Sequence, residues 1–291
     1  MAYKKSIIER RDGSIAGVDW RGIQRMPFYL TTNPANVAVT VAANSVSPMT
    51  MMTVSGEGPA EIDSLAVQST GAALVQMVIM DGTTPRALSN AALNIAAILG
   101  SGSQPYRLPE RLYIDETRSI QVRFTDISGS SNTIRMVGRC GRQLEQQVEN
   151  NLSVARKRLA ERQYLSMPFW YTTDAGPITL TALGSATRTI SIASDFHFDL
   201  YQLSVSSTGA FNLNITDATR GESIIDGFQA SNFAISNGLF IGSNNFPFRL
   251  REPRFFQKDT KIQLDFTDLS NGSNVIYIAL GGVILADRFW R

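Results

Sequence analysis

One cysteine and one histidine occur in a chain of 291 residues. A single cysteine excludes an intrachain disulfide, so stability has to come from buried surface. Cys140 and His197 stand far apart, which leaves no thiolate–imidazole set for zinc within one chain. Any Ser-His-Asp or Cys-His catalytic set would have to share His197. Charge is scarce as well: 18% of residues are Asp, Glu, Lys or Arg, against roughly 25% in ordinary soluble domains. The 27 basic and 25 acidic residues leave +2, too little to predict nucleic-acid binding by composition. Long apolar runs are missing: Ala91–Leu99 and Val275–Ala286 fall short of the ~20 residues of a membrane helix. Met1–Arg11 is charged and lacks the apolar run of a signal peptide. The expectation is a soluble protein made in the cytoplasm.

Motifs of catalysis are equally sparse. No Gly-rich phosphate loop followed by Lys-Ser/Thr, dinucleotide fingerprint or nucleophile elbow is present. Asp265 with Asp268, and Asp195 with Asp199, are carboxylate pairs that strand and turn positions explain. Asp126 and Asp268 each precede a Ser-rich turn, where an aspartate caps its own backbone. Loop carboxylates also suit calcium, but the capping role is preferred. Arg107 with Glu110, and Arg249 with Glu252, are read as structural ion pairs before a strand. His197, between Phe196 and Phe198, is read as a strand-edge residue. No catalytic, cofactor-binding or metal-binding residue is assigned, and no cofactor is expected.

What the chain does contain is a repeat. Met26-Pro27-Phe28-Tyr29-Leu30-Thr31-Thr32 returns as Met167-Pro168-Phe169-Trp170-Tyr171-Thr172-Thr173. Ser69-Thr70-Gly71-Ala72 returns as Ser207-Thr208-Gly209-Ala210. Pro105–Ile134 lies over Pro247–Ile276 without a gap, at an offset of 142 (247 minus 105). Within that block Pro105, Arg107, Leu108, Glu110, Ile120, Gln121, Phe124, Thr125, Asp126, Ser128, Ser131, Asn132 and Ile134 recur identically. The chain is a tandem duplication, with each copy close to ordinary domain size.

The period inside each copy is two. Ile262, Leu264 and Phe266 alternate with Gln263, Asp265 and Thr267, as Ile120, Val122 and Phe124 do in the first copy. In Phe198–Ser206 the same rule sets Phe198, Leu200, Gln202, Ser204 and Ser206 on one face. Such alternation marks half-buried strands. Asp81-Gly82, Ser128-Gly129, Asn237-Gly238 and Asn271-Gly272 supply turns. The expected fold class is all-β: two tandem jelly-roll or β-sandwich domains, 26–142 and 166–291. Ser89–Leu99 is the one ambiguous segment, its Ala-rich run fitting a short helix on a crossover.

Two segments lie outside the duplication. Residues 1–25 read as an N-terminal arm with a hairpin around Asp12-Gly13, which needs something to dock on. Its basic residues and Trp20 allow nucleic-acid contact without predicting it. The linker 143–165 carries Leu144, Val148, Leu152, Ala155 and Leu159 on one helical face, which predicts a long α-helix joining the domains. A stripe of that kind packs along its own barrels or against other copies. Lys4, Lys5, Arg10, Arg11, Trp20, Arg21, Leu144, Val148, Leu152, Ala155 and Leu159 are the candidate subunit-interface residues.

Each copy carries a Pro-aromatic-Arg-Leu-X-Glu segment, an aromatic strand, Ile-Gln-X-X-Phe-Thr-Asp, a Ser/Asn/Gly turn and a closing apolar strand. The pattern spans Pro105–Met136 and Pro247–Ile278. It resembles structural proteins of bacterial viruses whose β-barrel or jelly-roll domains build heads, necks and collars. The resemblance implies a non-enzymatic virion component that forms a homo-oligomer, with other virion proteins as partners, arms that exchange between neighbours, and no membrane or small-molecule substrate. A neck, collar or head-decorating protein is the preferred assembly, because a long helix suits a ring or dimer axis. A double-jelly-roll major capsid protein is the alternative. A carbohydrate- or receptor-binding β module is a third, weakened by the scatter of Trp20, Trp170 and Trp290.

Overall fold

The computed structural model describes residues 8–9, 15–16, 25–32, 38–52, 60–81, 83–114, 118–143, 166–173, 176–224, 235–236, 242–243 and 246–286. Ahead of the first repeat, β1 (Ile8–Glu9) and β2 (Ile15–Ala16) pair antiparallel, with Ile8 opposite Ala16. The first repeat then runs β3 (Arg25–Thr31), β4 (Val39–Val41), β5 (Thr50–Met52), β6 (Ala60–Ser69), β7 (Ala73–Asp81), β8 (Thr84–Ala87) and β9 (Leu93–Asn94). A helical turn α1 (Ile95–Ile98) follows, then β10 (Tyr106–Ile114), β11 (Arg118–Asp126) and β12 (Asn132–Gln143). The second repeat runs β13 (Ser166–Tyr171), β14 (Ile178–Leu180), β15 (Ser185–Ser191), β16 (Phe196–Ser207) and β17 (Phe211–Asp217). It closes with β18 (Glu222–Ser223), β19 (Ile235–Ser236), β20 (Phe248–Phe256), β21 (Lys261–Asp268) and β22 (Asn274–Ala286).

The two repeats share one strand order. In the first, one sheet reads β10-β6-β12-β3 and the other β5-β11-β7-β8. In the second they read β20-β16-β22-β13 and β15-β21-β17-β18. Even the side strands correspond: β4 joins β12 as β14 joins β22, and β9 joins β7 as β19 joins β17. All these pairings are antiparallel, in the two-sheet order of a jelly roll.

The alternation explains the layers. Ile120, Val122 and Phe124 of β11 are buried, as are Ile262, Leu264 and Phe266 of β21. A Cβ placed at Gly138 of β12 would meet Ile62 and Met52, each at 3.3 Å. Met52 belongs to the opposite sheet, so the two sheets face each other across one core. Asn94 caps α1, its Oδ1 accepting from Ala96 N at 2.8 Å. The ambiguous Ser89–Leu99 segment thus resolves into two strand residues and one turn of helix.

The expected long helix is corrected here. Gln143, where it was to begin, is the last residue of β12 and pairs with Arg25. The strand runs on because Met136, Gly138 and Cys140 keep the inward period of two. Residues 144–165 lie outside the described residues, and among those described the only helix is the single turn α1. A joining helix is therefore withdrawn from the fold class, which stands as all-β sheets in two equivalent sets. The Asp12-Gly13 turn also lies outside the described residues.

Candidate functional site: the seam between the repeats

A one-residue irregularity builds the site. The pairing of β16 with β22 and β20 shifts register between Leu200 and Gln202. Beyond such a bulge every side chain changes face. Phe198, Leu200 and Leu203 therefore point into the core, while Gln202 leaves the face that simple alternation assigned to it. The first repeat has the same bulge, between Arg139 and Cys140 opposite β6. Gln202 corresponds to Ser64 there, counting back from the shared Ser207 and Ser69.

Gln202 turns toward the first repeat. Its Nε2 donates to Tyr106 Oη at 2.6 Å and to the Arg107 carbonyl at 3.3 Å. Trp170 Nε1 donates to the same phenol oxygen at 2.9 Å, its ring centroid 6.3 Å from that of Tyr106. Tyr106, Trp170 and Gln202 are all buried. Burial pushes the Tyr106 phenol up to about 12, against the pull of the bonds from Trp170 and Gln202. The backbone of Gly281 completes the pocket, since a Cβ there would meet Gln202 Cγ at 2.8 Å and Tyr106 Oη at 3.1 Å.

Backbone pairing extends the seam along the edge of β13. Trp170 N donates to Leu88 O at 2.9 Å, and Asn90 N donates to Trp170 O at 3.3 Å. Asn90 also exchanges a pair with Thr172, its Nδ2 donating to the carbonyl and its Oδ1 accepting from the amide, both at 2.8 Å. The 88–90 loop thus acts as a short added strand on an edge that would otherwise be open. Ser166 Oγ donates to Glu110 Oε2 at 3.0 Å, and α1 lies against β16 and β22. The seam joins the flank of one repeat to the outer sheet face of the other, so it is heterologous. It was not legible in sequence, because its residues come from six separate stretches.

No protein-family model and no curated protein matches the chain. Among solved structures it is similar to the major capsid protein P2 of bacteriophage PM2, at 7% identity and TM-score 0.37, covering 89% of this chain and 98% of that one. It is also similar to a chain of the Sulfolobus turreted icosahedral virus, at 15% identity and TM-score 0.24, covering 91% and 81%. A third likeness is to the insecticidal delta-endotoxin Cry8Ea1 of Bacillus thuringiensis, at 10% identity and TM-score 0.23, covering 90% and 54%.

The eleven interface candidates of the arm and linker, from Lys4 to Leu159, all lie outside the described residues. The other groups singled out are structural in their surroundings. Cys140 is buried, and burial pushes its thiol up to about 12, so it stays protonated at neutral pH. His197 stacks on Phe255 with centroids 5.3 Å apart, its Nδ1 accepting from Lys258 N at 3.3 Å. Burial raises the Asp199 carboxyl, and the nearby His197 partly offsets this. Among the described residues no three His, Cys, Asp or Glu side chains gather as a metal site would need. Nor is any described helix long and apolar enough to cross a membrane.

Asp126 and Asp268 are knots at the ends of equivalent strands. Asp126 accepts from Asn44 N at 2.9 Å, Ser128 Oγ at 2.7 Å and Gly129 N at 3.2 Å. Asp268 accepts from Leu183 N at 3.0 Å, Ser270 N at 3.0 Å and Asn274 Nδ2 at 3.0 Å. Asn44 and Leu183 both have positive φ, 51° and 55°, so each carboxylate holds a turn that an L-residue seldom adopts. These donors occupy the oxygens that calcium would need.

Ser128 holds the Asp126 carboxyl below its ordinary value of 3.8. At Asp268 burial pushes upward, but bonds from Asn274, Leu183 and Ser270 outweigh it and the result is again below 3.8. Depressed carboxyls contribute stability that is fully present above the ordinary value and is lost as pH falls through the folded one. Asp268→Asn is therefore expected to lower the melting temperature at pH 7 and to narrow its deficit below pH 4. Thermal melts across that range check it; a deficit that stays constant with pH would assign the effect to packing alone.

Proposed function

We propose that the chain is a non-enzymatic structural subunit of a bacterial-virus particle, working as a homo-oligomer among other virion proteins. The observation that carries this reading is the seam. Two sandwiches of identical strand order are fixed face to flank by a buried aromatic and amide cluster and an added strand. That makes a rigid double block with wide sheet surfaces, which suits tiling. We further propose that the repeats are two domains, following the strand limits 25–143 and 166–286.

Within this class a position in the shell takes precedence over the neck, collar or head-decorating position preferred from sequence. The latter rested on a helix at a symmetry axis, and that helix is withdrawn. Carbohydrate binding has little to support it: Trp170, the one tryptophan among the described residues, is buried in the seam.

Negative-stain microscopy of the purified chain, alone and with crowding agents, tests the reading. Closed shells or flat arrays of one repeating unit are expected. Discrete open rings would move the chain to a collar. A monomer at all concentrations that binds a glycan would overturn a virion role.

A further inference from the structure

The turn that follows the Asp268 knot holds a residue pair that the fold does not require. Ser128-Gly129-Ser130 of the first repeat stands where the second has Ser270-Asn271-Gly272, at the same offset of 142 (270 minus 128). Gly129 has φ 73°, a backbone that favours glycine. Asn271 takes its place without a positive φ, and Gly272 has none either. Nothing lies within 4 Å of a Cβ built on Gly272. Neither conformation nor packing therefore demands a glycine after Asn271.

The pair is also chemically free. Asn271 and Gly272 are exposed. Among the described residues, neither the Asn271 side-chain amide nor the Gly272 N–H is hydrogen-bonded. The groups around them are held: Ser270 N and Oγ both donate to Asp268, and Ser270 Oγ also donates to Gly272 O at 2.9 Å. Three other asparagines show the contrast. Asn90 and Asn274 engage both amide atoms in hydrogen bonds. Asn44 is exposed, but the N–H that follows it, on Ser45, donates to Ala42 O at 3.1 Å.

We infer that Asn271 is a self-modification site, where the Gly272 amide nitrogen converts the asparagine into a mixture of aspartate and isoaspartate. The nitrogen attacks Asn271 Cγ, and the new C–N bond closes a cyclic imide. The Cγ–Nδ2 bond breaks, and ammonia leaves with the proton lost from the Gly272 nitrogen. Water then opens either ring carbonyl. Opening at Cγ restores the main chain as aspartate; opening at the main-chain carbonyl leaves isoaspartate. One water enters, one ammonia departs, and nothing is oxidised or reduced. Glycine favours the step because it has no Cβ in the path and leaves the backbone free to turn.

The product acts on the knot, independently of the structural role proposed above. A carboxylate at 271 stands one turn past Asp268, which Ser270 and Asn274 hold from either side of the modified pair. Like charge disfavours the ionised Asp268, and isoaspartate lengthens the main chain between those two donors. The first repeat, with Gly129 at this place, has no counterpart of the reaction at its Asp126 knot.

Peptide mapping of the full chain, incubated at physiological temperature in mildly alkaline buffer, tests it. The peptide holding Asn271 is expected to gain the mass of aspartate with time. It should also accept a methyl group from S-adenosylmethionine when an isoaspartyl methyltransferase is added. Gly272→Val should lose most of this signal, since a β-branched side chain stiffens and obstructs the ring closure yet fits the open space there. Asn271→Gly, which copies the first repeat, should lose it wholly and hold its melting temperature, while wild type melts lower as conversion advances. A synthetic peptide of residues 269–275 sets the rate without the fold. An Asn271 that stays unmodified while that peptide converts would overturn the inference, as would equal conversion in Gly272→Val. A melting temperature unmoved by full conversion would overturn the link to the Asp268 knot.

Discussion

Gly100→Ala is expected to lower the unfolding free energy by about 3 kcal/mol or more, the upper range for overpacking. A Cβ at Gly100 would fall on the Gln104 carbonyl oxygen and the Tyr106 amide nitrogen. Both are backbone atoms and cannot swing aside. The same knot recurs at Gly242, where a Cβ would strike Phe246 O and Phe248 N. Each glycine also accepts a bond across to the sheet, Val67 N to Gly100 O at 2.8 Å and Val205 N to Gly242 O at 2.9 Å. Against a total of roughly 5–15 kcal/mol for a domain, the loss is large. Gly102→Ala is the control, with nothing within 4 Å of its Cβ, and should stay within about 0.5 kcal/mol of wild type. Urea denaturation midpoints compare them; equal midpoints for the two variants would show that the loop yields. Gly100 sets the approach of Tyr106, so this variant should disturb the seam as well.

Trp170→Ala is the second large effect. Removing a fully buried tryptophan costs about 3–5 kcal/mol, and here it also removes one donor from Tyr106 Oη. Because the ring lies between the repeats, unfolding should split into two transitions as the repeats uncouple. Trp170→Phe keeps most of the apolar contact and should retain one transition with a loss of about 1–2 kcal/mol. A single transition in Trp170→Ala would show that the repeats are held elsewhere. Alkali gives an independent reading. The folded chain keeps the Tyr106 proton up to about 12, whereas the unfolded chain releases it near the ordinary value of 10.0. Tyr106 by itself therefore makes stability fall as pH rises from 10 toward 12 by about 1.4 kcal/mol per pH unit, in addition to the fall that the buried Cys140 thiol contributes. That alkaline slope should flatten in Trp170→Ala, where the phenol gains access to water.

The contrast between the legible and illegible parts follows from range. Strand identity was legible because alternation is local: Ile120, Val122 and Phe124 announce an inward face with no knowledge of the rest. The duplication was legible too, since identities at one offset need only the chain. Gln202 was misplaced because a bulge costs one residue of register and leaves no mark in composition. Gln143 was misplaced because an apolar spacing of three and four continues past a strand end without a visible break.

The sequence by itself determined two equivalent all-β repeats without the cysteine or histidine sets of common enzymes, because hydrophobic period and residue chemistry act over a few positions. Only the tertiary structure decided how the repeats meet. A buried phenol, indole and amide satisfy one another across 96 residues of chain between Tyr106 and Gln202, and that requirement exists only once the sheets are folded. Polar groups removed from water must find partners wherever the fold brings them, and here the partner is the other repeat.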